Sequence, residues 1–258
     1  MHRNSNKRVI ILSYSKVNLV IDQGNTHIKY GVFDKRQLLH SDSVDFLDKT
    51  LIAKLQQKYH FEKAIISSVV SNEPGKLFEI VQKTIPNTIW LSHLTPLPFT
   101  WTYKTPETIG KDRLAAVAGA IEYFPHKDTL IIDAGTAITY EFVTHKAQYQ
   151  GGNISPGLKM RFSSLHHFTS QLPLLTPSPD HAFFGKSTKE AIIAGIQNGI
   201  TYEIDGYIST LKLSHPDVCV LITGGDAEFF ARKLKNPIFV HLNLVLIGLN
   251  RILEHNAQ

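Results

Sequence analysis

The sequence predicts an α/β protein made of two related halves, with mixed sheets flanked by helices and a ligand cleft between the halves. Short β-rich runs alternate with helical patterns from end to end, as they do where strands and helices form layers. The run Leu19-Val20-Ile21-Asp22-Gln23-Gly24-Asn25 is echoed by Leu130-Ile131-Ile132-Asp133-Ala134-Gly135-Thr136, with the two aspartates 111 residues apart. Each copy is an apolar strand running into Asp-x-Gly and a small polar residue, so the chain reads as an internal duplication. Its 258 residues suffice to bury the apolar surface of one large domain or two ordinary ones without staples.

In the first half the strand candidates are Asn18–Asp22, His27–Phe33, Ala64–Val70 and Thr88–Leu91. Between them, Thr50–Tyr59 and Pro74–Ile85 carry apolar residues at helical spacing, the second with Asn72 as a cap. A helix over Lys111–Tyr123, with Leu114, Val117, Ala118 and Ile121 on one face, closes this half, and Pro125, His126 and Lys127 form the boundary. The division expected is therefore an extension over 1–17, a first domain over 18–125 and a second over 126–258. Lys7 and Arg8 precede the apolar Val9-Ile10-Ile11-Leu12 as in a signal peptide, but Ser13, Ser15 and Lys16 interrupt the run and no small-residue cleavage site follows.

A formal charge of +5 suits anionic ligands such as nucleotides and carboxylates, and nucleic acid equally. Lys and Arg are scattered, and neither a helix-turn-helix nor an aromatic-basic pattern is present, so nucleic-acid binding is not expected. No stretch approaches the length of a membrane span. The single Cys219, inside Val218-Cys219-Val220-Leu221-Ile222, reads as a small strand residue, and one cysteine points to a reducing cytoplasm.

In Asp22-Gln23-Gly24-Asn25-Thr26 a strand ends in a carboxylate, and glycine then lets backbone N–H groups approach an anion. Asp22 suits a magnesium ion held through water, since magnesium keeps several waters. Either copy alone would also fit an ordinary β-hairpin turn. Repetition at matching places favours a phosphate cleft, which needs two walls.

With Thr223-Gly224-Gly225-Asp226, these turns resemble the phosphate and adenosine motifs of the superfamily of actin, sugar kinases and heat-shock ATPases, which implies two ribonuclease H-like domains. Within it, the chain resembles type III pantothenate kinase through an ordered set running from about residue 18 to the C-terminus. The set comprises Asp22-Gln23-Gly24-Asn25-Thr26, Gly110-Lys111-Asp112-Arg113, Asp133-Ala134-Gly135-Thr136-Ala137, Gly151-Gly152 with Pro156-Gly157, and Gly185-Lys186-Ser187-Thr188.

The resemblance implies ATP-dependent phosphorylation of pantothenate to 4′-phosphopantothenate, the first step of coenzyme A synthesis. It assigns Asp22, Gln23, Gly24, Asn25, Thr26, His27, Ile28 and Lys29 to ATP and magnesium, Thr136 to phosphate, and Gly224 and Gly225 to the vicinity of adenosine. Asp112 becomes the general base, while Gly110, Lys111, Asp112, Arg113, Tyr103 and Thr188 hold pantothenate. Asp133 takes a monovalent cation, potassium or ammonium. Relatives are dimers with the substrate pocket at the interface, and Ile192, Ile193, Ile196, Ile200 and Ile204 offer more apolar surface than one small core requires.

The chemistry of these residues agrees with several of those roles. Phosphoryl transfer needs alignment, metal and an acceptor for the hydroxyl proton, so one carboxylate suffices. Arg113 carries a planar fork suited to a carboxylate, and Tyr103 fits equally a strand residue packed on the core. Asp112 would in any case favour a helix N-terminus, Ser187 with Glu190 would start a helix as a capping box, and Asp133 would cap its turn through Thr136. Lys111 occupies a place often taken by a small residue in relatives.

Other chemistries fail on spacing. Gly185-Lys186-Ser187-Thr188 ends like a P-loop, but Asp180 stands where the earlier glycine is required and Leu172–Pro179 is proline-rich. His166 and His167 are adjacent in a helical pattern and point apart, so they cannot share a metal, and no zinc pattern or nucleophile elbow occurs. Two alternatives keep the fold: a transcription accessory factor without catalysis, and a kinase for another small hydroxy acid. The intact Asp22, Asp112 and Asp133 weigh against the first.

Overall fold

The computed structural model describes residues 17–71 and 73–257. The apolar run at its start forms β1 (Val17–Gln23), which pairs antiparallel with β2 (Ile28–Asp34), and β3 (Gln37–Val44) continues that meander. After α1 (Lys49–Tyr59), capped by Asp48 Oδ1 accepting from Leu51 N at 2.8 Å, the chain returns as β4 (Phe61–Ser68) parallel to β1. His60 makes the reversal in the left-handed region at φ 55°. Next, α2 (Lys76–Thr84) leads to β5 (Asn87–Trp90), giving the order β3-β2-β1-β4-β5.

The second half repeats the plan. β7 (Thr129–Ala134), β8 (Ala137–Val143) and β9 (Gln148–Pro156) form the meander, while β10 (Cys219–Thr223) and β11 (Phe239–Val240) return parallel to β7. Four helices accompany them: α4 (Leu158–Phe168), α5 (Thr188–Ser214), α6 (Ala227–Ala231) and α7 (Leu244–His255). The order β11-β10-β7-β8-β9 matches the first sheet strand for strand, so the duplication seen in two short motifs extends to the whole topology. Several elements cross between the halves. β6 (Thr100–Trp101) adds to the free edge of β9, and α7 packs beside α3 (Lys111–Tyr123) over β1, β2 and β4. α3 and α7 approach very closely, because a β-carbon on Gly119 or Gly248 would run into the facing backbone.

Three apolar cores result. One lies between the first sheet and α1 with α2, one between the second sheet and α4 with α5, and a central one joins both sheets through α3 and α7. Ile192, Ile193, Ile196, Ile200 and Ile204 are all buried in the second of these. The excess apolar surface expected of them is therefore taken up within one chain. Large exposed apolar groups lie instead at Phe168, Phe183, Phe184 and Leu213.

Val17, placed in the extension by sequence, is the first residue of β1, and the remainder of that segment lies outside the described residues, as does Asn72. The strand expected over Ala64–Val70 begins earlier and ends at Ser68, leaving Val70 exposed. Among the described residues, no helix is long and apolar enough to cross a membrane.

Candidate active site

Because β1 and β7 are equivalent strands of facing sheets, their carboxyl ends deliver Asp22 and Asp133 to the same cleft. Both Asp-x-Gly segments are β-hairpin turns, closed by Gly24 N donating to His27 O and by Gly135 N donating to Ala137 O, each at 3.1 Å. The first turn is one residue longer, since Gln23 pairs with Ile28 but Ala134 with Ile138. Neighbours across the sheets correspond too: Asp22 lies opposite Lys29 and Ser67, and Asp133 opposite Thr139 and Thr223.

The cleft encloses about 400 Å³ and takes walls from both halves: Asp22, Gly24, Asn25, Thr26, His27 and Lys29 from one, Asp133, Gly135, Thr136, Lys159 and Thr223–Asp226 from the other. Gly224, at φ 95°, lies against Ala134 and Asp133 so closely that a β-carbon would collide with Ala134 O and Asp133 Oδ1. Gly157 N donates to Thr136 O at 3.1 Å and so docks the start of α4 on the second turn.

Asp112, at the start of α3, lies within electrostatic reach of both Asp22 and Asp133. Its Oδ1 accepts from Arg113 N at 2.8 Å, and burial pushes its pKa up. Burial, then the charges of Asp112 and Asp133, push Asp22 up to about 7, with Ser67 and then Lys29 opposing. Asp133 is also pushed up to about 7, by burial and then Asp112. Asp112 thus acts on both Asp22 and Asp133 in a poorly hydrated place. Asp22 Oδ1 and Ser67 Oγ are buried on neighbouring strands, where Ser67 acts on the Asp22 carboxylate but neither atom has a hydrogen bond of good geometry among the described residues. An unpartnered buried carboxylate oxygen fits a hydrated cation, whose water can supply the missing donor. The described residues hold no cluster of three or more ligating side chains, so a magnesium ion would be held largely by water and phosphate.

Behind Asp112 the structure makes a connection that sequence reasoning missed. Arg113 Nε and Nη2 donate to Glu141 Oε1 and Oε2 at 2.6 and 2.9 Å, and Nη2 also reaches Tyr149 Oη at 3.1 Å. Tyr149 in turn donates to Glu141. Burial would lower the Arg113 pKa, but the carboxylate of Glu141 outweighs it and holds the guanidinium charged. Nη1 is left facing Tyr103 Oη at 3.5 Å. The clue in the sequence was a glutamate inside the strand Ala137–Val143, where an ionised group needs a buried partner.

Other candidate residues are more scattered. Lys111 turns inward, its Nζ donating to Ile109 O at 2.8 Å. Ile28 is buried in the first core, and Gln23 faces a second pocket of about 400 Å³ on the α2 side, lined also by Phe46, Leu77 and Trp90. His27 Nδ1 lies 2.7 Å from Asp45 Oδ1 at the rim. Thr188 opens α5 behind the Ser187 cap, exposed and outside the cleft.

The sequence model of type III pantothenate kinase matches residues 18–210. A type III pantothenate kinase of Bacteroides fragilis is 47% identical over 242 residues, covering 93% of this chain and 98% of its own. Among solved structures, a Campylobacter jejuni protein provisionally assigned to the Baf family of transcriptional activators superposes with a TM-score of 0.57 at 22% identity, over 93% of this chain and 98% of that one. A Listeria monocytogenes protein provisionally identified as an N-acetylmannosamine kinase gives 0.52 at 11% identity, over 94% and 100%. At these identities the likeness speaks for the fold, the duplicated actin-like architecture of sugar kinases. The sequence matches carry the assignment further: the chain belongs to the type III pantothenate kinase family.

Proposed function

We propose that the protein transfers the γ-phosphoryl group of ATP to the primary hydroxyl of pantothenate, giving ADP and 4′-phosphopantothenate. The observation that carries this reading is the meeting of Asp22 and Asp133, one from each half, in one cleft between two Asp-x-Gly turns, with Asp112 within electrostatic reach of both. A binding module has no need of three carboxylates held at such electrostatic cost, which favours catalysis over a purely regulatory role.

In this reading Asn25, Thr26 and Lys29 on one wall, and Thr136 on the other, hold the phosphates, with the adenosine beside Gly224 and Gly225. Asp22 would hold magnesium through water and Asp133 a monovalent cation, and bound there such ions would supply charge neutralisation to the phosphates, a task for which hard oxygen ligands suit them. Asp112 takes the proton of the attacking hydroxyl, and its raised pKa makes it a better base than an ordinary aspartate. Tyr103 and the Nη1 of Arg113 that donates to it face the pantothenate carboxylate, while Glu141 holds the guanidinium in place.

A homodimer would cover the exposed, mutually packed Phe183 and Phe184 just before α5 and bring a second copy of Thr188 toward a substrate pocket. The compartment is the cytoplasm, where ATP is abundant. ADP release measured with and without pantothenate tests the assignment. Turnover only with pantothenate is expected; none would favour a regulator, and turnover only with another hydroxy acid would correct the substrate.

A further inference from the structure

Two charged side chains on the second half's wall of the cleft have no task in phosphoryl transfer as proposed. Asp226 follows Gly224-Gly225, and Lys159 stands in the first turn of α4; both line the cleft. Asp226 occupies the N-cap of α6, where an aspartate ordinarily accepts from a first-turn amide, yet its side chain makes no such bond. No hydrogen bond to its carboxylate is formed among the described residues. Burial pushes its pKa up, and the charge of Lys159 opposes that.

The backbone that carries this carboxylate is held in place. Asp226 N donates to Ala134 O at 2.9 Å, and Gly224 is pressed against the Asp133 turn, so Asp226 keeps a set place relative to the phosphate-binding backbone. A partly buried carboxylate without donors is costly, and a ligand that brings hydroxyl groups removes the cost. A nucleoside triphosphate with its phosphates at the two turns must carry its sugar past Gly224-Gly225. There the ribose presents two adjacent O–H donors, matching the two oxygens of a carboxylate.

We propose that Asp226 selects ribonucleotides by accepting hydrogen bonds from the ribose hydroxyls of ATP, while Lys159 pairs with the phosphates beside it. The inference rests on the reading of this cleft as the nucleotide site, and it names two residues that the matched motifs leave without a role.

Calorimetric titration of the native protein with ATP, 2′-deoxy-ATP and 3′-deoxy-ATP, with magnesium and without pantothenate, tests it. ATP should bind at least about tenfold more tightly than one or both deoxy analogues, the worth of a hydrogen bond to a charged acceptor. Asp226→Ala should erase that preference and Asp226→Asn should restore part of it. Lys159→Met should weaken all three nucleotides by a similar factor and preserve their ratio. Equal binding of all three by the native protein overturns the proposal, whether or not any variant folds, and so does an intact preference in Asp226→Ala. Ribose discrimination without pantothenate-dependent ADP release would sink the substrate assignment and leave Asp226 in its role. A native protein that binds no nucleotide would overturn both.

Discussion

Arg113 and Glu141 meet through two side-by-side hydrogen bonds, 2.6 and 2.9 Å long, that tie the first turn of α3 to β8 of the second sheet. The pair therefore couples the segment that carries Asp112 to the half that carries Asp133. Glu141→Gln leaves a buried guanidinium without its counter-charge, and a loss of about 3 kcal/mol of stability is expected. Urea denaturation should show this as a lower midpoint at unchanged slope. The KM for pantothenate should rise more than kcat falls, because Arg113 loses its orientation. An unchanged KM would remove Arg113 from the substrate pocket.

Asp112→Asn should reduce turnover by roughly 10² to 10⁴-fold, the usual contribution of a general base. The side chain sits in the α3 turn and not in either hairpin turn, so calorimetry should find ATP binding largely intact. Near-native turnover would take Asp112 out of the base role.

Asp22 and Asp133 are each pushed up to about 7, whereas in the unfolded chain they ionise near 3.8. Between those values the native state keeps protons that the unfolded chain has released, so these groups make stability fall as pH rises through this window. The cost is complete above about 7. In metal-free and nucleotide-free buffer, Asp22→Asn should accordingly melt above the native protein at about pH 8, by an amount on the order of 2–4 kcal/mol, and converge with it toward about pH 4. A difference independent of pH would show that Asp22 is not the titrating group.

Activity at fixed magnesium should require potassium or ammonium, with sodium a poor substitute because its smaller radius under-fills an oxygen cage of that size. Asp133→Asn should sharply weaken the activation. Initial rates measured against potassium, with sodium holding ionic strength constant, provide the check. A flat curve for the native protein would contradict the cation assignment and leave the kinase reading intact.

What could be read from sequence was local. The helix over Lys111–Tyr123 falls where its apolar periodicity places it, and β1 and β7 were marked by apolar runs ending in Asp-x-Gly. β3 escaped notice because Gln37–Val44 is a polar edge strand with few buried positions. The isoleucines of α5 misled, since periodicity shows an apolar face but not what covers it. Glu141, Tyr149, Lys159 and Asp226 acquire meaning only when distant segments meet, and no short motif announces a contact between residues 113 and 141.

The crossing of α7 also dictates when this protein can fold. The strands of the first sheet that α7 covers beside α3 are made long before α7 itself. At ordinary synthesis rates the interval is on the order of ten seconds, during which Val20 and Ile65 have no finished surroundings. β6 waits in the same way for β9. Until Leu244–His255 has emerged, that apolar face lacks the helix that buries it, and a chain cut before Leu244 would leave it uncovered.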